Sequence, residues 1–227
     1  MFADRRAAGR ELARRLGHLR AEQPIVLALP RGGVPVAFEI AEALDAVLDI
    51  VLVRKIGAPG QPELALGAVV DGDAAQVLID HGLAAALAVD RAYIESETRR
   101  QRVEIERRRE AYLGRRPPAP IAGRTVIVVD DGIATGSTVR TALRAIGNGG
   151  AGKVVLAVPV APRETLDALK PEVDEIVCLA MPSPFFAVGA HYQEFAQLAD
   201  ADVVSLLEIR QRRMTPSSEV SPQVRKA

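Results

Sequence analysis

The amino-acid sequence predicts an α/β domain: a mostly parallel central sheet flanked by helices, with an inserted helical segment. Three observations carry this. Apolar runs of four to six residues, too short for helices, recur at Ile25–Leu29, Asp49–Val53, Arg124–Val129, Lys153–Val158 and Glu175–Leu179. Stretches with helical spacing of apolar residues separate them, and Gly- or Pro-bearing connectors punctuate the alternation.

Taken in order, residues 3–20 read as an amphipathic helix with Ala8, Leu12, Leu16 and Leu19 on one stripe. The first strand, 25–29, lies between Pro24 and Pro30. A turn at Pro30-Arg31-Gly32-Gly33 leads into a helix over Val34–Leu44, and the next strand spans 49–53. Gly57, Pro59, Gly60 and Pro62 then predict a loop over 56–63, expected to be mobile and to close over a ligand. Leu64–Val70 and Gln76–Ile79 read as a strand pair around Asp71-Gly72-Asp73. Residues 83–113 read as two helices, within an insertion over 83–116 that ends in the stiff Pro117-Pro118-Ala-Pro120. Helices over Thr138–Ile146 and Pro162–Leu169 alternate with the remaining strands, and the polar tail 211–227 is expected to lack order. Residues 1–210 thus read as a single domain.

Composition narrows the function classes. Of 227 residues, 29 are Lys or Arg and 29 are Asp or Glu, so no net field draws the chain to nucleic acid or anionic lipid. The arginines at 99, 100, 102 and 107–109 interleave with Glu95, Glu97, Glu104, Glu106 and Glu110, the pattern of a solvated helix face laced with acid–base pairs. A single cysteine, Cys178, and the lack of an apolar run near the ~18 residues of a membrane span point to a reduced, cytoplasmic location. Neither nucleic acid nor membrane is an expected partner.

The chemistry concentrates in Val126-Ile-Val-Val-Asp130-Asp131-Gly-Ile-Ala134-Thr135-Gly136-Ser137-Thr138. A buried strand ends in two acids, and a small-residue loop then opens a helix. Ligands of open parallel sheets collect beyond the carboxyl ends of the strands. N–H groups at the helix start, with three hydroxyls, suit a phosphate monoester. Two carboxylates repel phosphate but accept hydrogen bonds from a sugar diol and favour a cation; together these describe a phosphorylated ribose. A P-loop requires Lys before Ser or Thr, which this loop does not contain. Gly147-Asn-Gly149-Gly-Ala-Gly152 matches the dinucleotide fingerprint formally, but it follows a helix and precedes a strand, the reverse of what that motif needs.

Val126–Thr138 resembles the 5-phosphoribosyl-1-pyrophosphate signature of the type I phosphoribosyltransferases. Leu29–Gly33 resembles that family's pyrophosphate loop, and Val53-Arg54-Lys55 the start of its catalytic loop; the likeness spans roughly residues 25–180. Pro30-Arg-Gly-Gly33, Arg54-Lys-Ile-Gly-Ala-Pro59 and Tyr192-Gln-Glu-Phe195 also resemble a bacterial subgroup of the family. The resemblance implies the type I fold and a Mg²⁺-dependent transfer of ribosyl 5-phosphate to a nitrogenous base or related acceptor, with release of pyrophosphate. Asp130, Asp131 and Lys55 would be catalytic, the two acids also meeting Mg²⁺ through water. Ala134, Thr135, Gly136, Ser137 and Thr138 would wrap the 5′-phosphate, and Arg31, Gly32, Gly33 and Arg54 would face pyrophosphate. The family's small C-terminal hood would cover 180–207; Phe185, Phe186 and Tyr192 would form this acceptor hood, or else anchor the segment to the core, and the Pro30–Arg31 peptide would be cis. Enzymes for 6-oxopurines carry an acid where this chain has Ala134, which argues against such an acceptor. Glu63 is a second-rank candidate acid for a leaving or entering group; a solvated loop carboxylate is the preferred reading. A homodimer is the expected assembly. The alternative reading is a non-catalytic regulator that binds the same donor or a nucleotide; Arg31, Arg54 and Lys55 favour the enzyme, because a sensor need not neutralise a leaving group.

Overall fold

The structure, a computed structural model, describes residues 1–72 and 76–214. The side chain of Glu63 and the tail 215–227 lie outside the described residues. Five strands form a parallel sheet: β1 (Ile25–Ala28), β2 (Val47–Ile50), β6 (Thr125–Val129), β7 (Lys153–Val160) and β8 (Glu175–Ala180), in the order β2-β1-β6-β7-β8. A second, antiparallel sheet contains β3 (Val53–Ala58), β4 (Gln61–Val70) and β5 (Gln76–Ile79).

Alternation along the buried strands builds two cores. Val26, Ala28, Ile127, Val129, Val155 and Ala157 face α1 (Arg5–Arg15) and α2 (Gly33–Leu44). Ile25, Leu27, Val126, Val128, Leu156 and Val158 face α5 (Ser137–Asn148) and α6 (Arg163–Leu169). Both faces are covered, so the strands read as unbroken apolar runs.

The segment expected as an irregular loop over 56–63 is instead the β3–β4 hairpin, and β2 is correspondingly shorter than expected. Gly60, at φ 73°, makes the turn. At Gly57 the register shifts, and a Cβ would lie 2.7 Å from the backbone of Pro62. These residues serve a bulge and a tight turn, two uses of loop-forming residues that composition does not distinguish from a true loop.

The inserted helices are α3 (His81–Ala86) and α4 (Arg91–Leu113), the latter capped by Asp90, whose carboxylate accepts from the Tyr93 N–H at 2.6 Å. Pairs three or four residues apart do line α4, at the surface for Arg91–Glu95, Arg107–Glu104 and Arg108–Glu104 and reaching inward for Arg100–Glu97. Its inward stripe was not expected, because it is polar: Glu97 and Gln101 are buried alongside Ile105 and Tyr112. Arg109 sits between the buried carboxylates of Asp49 and Asp71, at 3.0 and 2.9 Å. A final helix, α7 (Asp200–Met214), covers residues expected in part as hood and in part as tail, burying Val203, Leu207 and Arg210 as it packs on α2 and β2. Among the described residues no helix is long and apolar enough to cross a membrane.

Candidate functional site

Strand order reverses between β1 and β6, which pair directly from Ile25–Val126 to Ala28–Val129. β1 leads on to β2 on one side, while β6 leads on to β7 on the other. The loops leaving two such neighbours diverge, and the crevice between them is where open α/β sheets hold ligands. Here those loops are Pro30–Gly33 and Asp130–Gly136.

The two loops touch. Gly32 lies so close to the Asp131 carboxylate that a Cβ would overlap it, and a Cβ on Gly33 would fall 2.5 Å from the Val129 carbonyl oxygen. The Pro30–Arg31 peptide is cis. Asp130 accepts the Asp131 N–H at 2.9 Å. Burial, then the charge of Asp131, push the Asp130 carboxyl well above the ordinary carboxylate range. Beyond the acids, Gly136 at φ 75° starts α5 with no side-chain cap, leaving the first-turn N–H groups of that helix open to an anion. Thr165 donates its hydroxyl to the Ala134 carbonyl at 2.8 Å and so braces the loop, while Ala134 and Thr135 face solvent.

A cavity of about 490 Å³ lies between the β3–β4 hairpin, α4 and the first turn of α5. Arg54 and Lys55 line it from the hairpin and Ser137 and Thr138 from α5, so these predicted residues are brought together from distant parts of the sequence. Asp130 and Asp131 are not among its lining residues. Arg31 is also elsewhere, half-exposed and 3.6 Å from Asp200.

The hood residues divide. Tyr192 is buried and donates its hydroxyl to the Asp131 carbonyl at 2.5 Å; burial and the nearby Asp131 charge push its phenol up. Phe185 stacks on His191, with ring centroids 5.4 Å apart, whereas Phe186 is 84% exposed.

Arg5 was not among the predicted residues. Its Nε donates to Asp131 at 2.7 Å, its guanidinium covers the Phe195 ring at 3.8 Å, and it reaches the Ala196 carbonyl at 2.9 Å. Nothing in the pattern of its neighbours marks Arg5 apart from the other N-terminal arginines, since its partners lie 126 and more residues away. Tyr93, Glu97 and Gln101, which also line the cavity, were hidden in the charged pattern of α4.

The chain as a whole is similar to known proteins. Two Mycobacterium tuberculosis proteins, from strains H37Rv and CDC 1551 and provisionally named phosphoribosyl transferases (Rv0571c and MT0597), are each 46% identical over 208 residues. The match covers 92% of this chain and 46% of theirs, so the chain spans about half the length of these curated relatives. The crystal structure of TT1426 from Thermus thermophilus is 46% identical with a TM-score of 0.79, covering 91% of this chain and 97% of that one. The family profile of the phosphoribosyl transferase domain matches residues 4–194. The chain belongs to the phosphoribosyl transferase domain family.

Proposed function

We propose that this domain binds 5-phosphoribosyl-1-pyrophosphate with Mg²⁺ and transfers ribosyl 5-phosphate to a nitrogenous base or related acceptor, releasing pyrophosphate. The observation that carries this reading is the meeting, at the reversal of strand order, of the Asp130-Asp131 pair, an uncapped helix start and the glycine turn after β1.

In this reading the first-turn N–H groups of α5, with Ser137 and Thr138, hold the 5′-phosphate, and Asp130 and Asp131 accept hydrogen bonds from the ribose hydroxyls. Their negative charge also favours the cationic ribosyl group that forms as the bond to pyrophosphate breaks. Arg31, Arg54 and Lys55 oppose the charge that accumulates on departing pyrophosphate. Tyr192 and Arg5 hold Asp131 from its main-chain and side-chain ends, and the hood around Phe185 receives the acceptor. Two acids close enough for one to raise the proton affinity of the other suit a cation held through its water shell. Mg²⁺ bound there supplies charge neutralisation on the pyrophosphate oxygens.

The test is release of pyrophosphate from the donor with Mg²⁺, screened against bases and amines, with Asp131→Asn beside the parent protein. The expected result is acceptor-dependent release that falls at least about a hundredfold in the variant. Donor binding without release under every acceptor would favour the regulator, and no binding of the donor would overturn the proposal.

A further inference from the structure

Helix α4 belongs to the inserted segment, yet it forms one wall of the cavity that holds Arg54 and Lys55. Two hydrogen bonds tie it to the hairpin. The Tyr93 hydroxyl donates to the Gly57 carbonyl at 3.0 Å, and the Arg54 Nε donates to the Gln101 side-chain oxygen at 3.0 Å. Gln101 is itself held, its amide nitrogen donating to Glu97 at 2.6 Å. Glu97 accepts two further bonds from Arg100, at 2.6 and 2.9 Å, and these hold its carboxyl below the ordinary range.

The direction of this chain is fixed by donor and acceptor capacity. An ionised carboxylate only accepts, so it turns the NH₂ of Gln101 toward itself and leaves the amide oxygen for Arg54. That oxygen takes only the Nε–H of Arg54. The two terminal nitrogens of the guanidinium have no hydrogen bond or ion pair among the described residues, in a cavity that also receives Lys55, Ser137 and Thr138. A paired guanidinium fork is the geometry that grips two oxygens of one phosphate. The Arg54 charge is near enough to act on Glu97 but does not pair with it directly, so the fork stays available.

We propose that Gln101, oriented by Glu97, is a positioning residue that presents the free fork of Arg54 to a phosphate group in this cavity, making the inserted helix part of the anion site. This rests on the donor-binding reading above. It extends that reading to residues outside the sequence motifs.

Calorimetric binding of inorganic pyrophosphate and, separately, of 5-phosphoribosyl-1-pyrophosphate would be measured on the full chain. The set is the parent protein, Gln101→Met, Arg54→Met and the double variant. Gln101→Met is expected to weaken binding about tenfold, and this loss is expected to vanish once Arg54 is already Met. A purely structural role for Gln101 would give equal losses in both backgrounds, and that result would overturn the proposal. Glu97→Gln, which removes the forced orientation but keeps the shape, guards against misfolding of Gln101→Met. It should give a smaller loss that likewise disappears with Arg54→Met, and equal losses in both backgrounds would again overturn the proposal. Pyrophosphate binding with this coupling but no donor binding would sink the donor reading and leave the positioning role intact. Donor binding untouched in Gln101→Met and Glu97→Gln would do the reverse.

Discussion

Arg109→Met tests how the inserted helix is anchored to both sheets. Arg109 reaches from α4 to Asp49 on β2 and to Asp71 at the end of β4, at 3.0 and 2.9 Å, with side-chain exposures of 12%, 3% and 5% for the three residues. Methionine keeps most of the stem but leaves both carboxylates without this cation. Removing one partner of a buried ion pair costs about 3–5 kcal/mol. Asp49 would retain Arg116 at 3.4 Å and the Ala119 N–H at 2.8 Å, and Asp71 the Leu52 N–H, so the lower end applies. At roughly 2–4 °C per kcal/mol for a domain of this size, the melting temperature should fall about 6–12 °C.

The sign of the pH dependence is fixed. Burial already lifts Asp71 from 3.8 to about 6 against the pull of Arg109, and removing that pull raises it further. A raised carboxyl stabilises the fold when protonated and loses that contribution as pH rises through its folded value. The deficit of the variant should therefore widen as pH rises above about 6, where the parent protein has completed this loss and the variant has not. Thermal and urea unfolding followed by circular dichroism measure both effects. A loss under about 0.5 kcal/mol, the range of ordinary surface changes, would refute the reasoning by showing that water replaces the guanidinium.

Other perturbations probe the site and its surroundings. Gly32→Ala meets no backbone penalty, since φ is −59°, but its Cβ would displace the Asp131 carboxylate. Donor affinity measured by calorimetry should fall at least about tenfold with little change in melting; unchanged affinity would rule out the role proposed for Asp131. Gly136→Ala forces a side chain onto φ 75° with its Cβ 2.9 Å from the Thr165 methyl. It should cost more than about 1 kcal/mol in urea unfolding and weaken phosphate binding at the start of α5. Asp71→Asn should flatten the part of the stability profile in which the parent protein loses stability as pH rises from 3.8 to about 6. A parent profile without that fall would show that Asp71 titrates in its ordinary range.

The alternation of strands and helices, the signature after β6 and the glycine turn after β1 were legible because each is local. Val126–Val129 is apolar on both faces, Asp130-Asp131 follows at once, and Gly136 stands where the chain needs a positive φ. Such features are written in consecutive residues, where period, charge and backbone freedom can be read directly. The cis peptide at Pro30–Arg31 came from resemblance, since nothing in the composition of Arg31-Gly32-Gly33 requires it.

Tertiary structure decided the rest. Gly57 and Gly60 fit a bulged hairpin as well as they fit a loop, and only pairing with β4 chose between them. The α4 pattern predicted a solvated face because apolar period is what reveals a buried stripe; this helix buries Glu97 and Gln101 and half-buries Arg109, and Gln101 meets Arg54 while Arg109 meets Asp49 and Asp71. Arg5 meets Asp131 only once the N-terminal helix crosses the sheet. The sequence by itself determined the five strands of the parallel sheet and the paired acids that follow β6, because hydrophobic period and backbone freedom act between near neighbours. The tertiary structure alone decided which charges far apart in the sequence meet, because such a pair depends on distance in space and leaves no period along the chain.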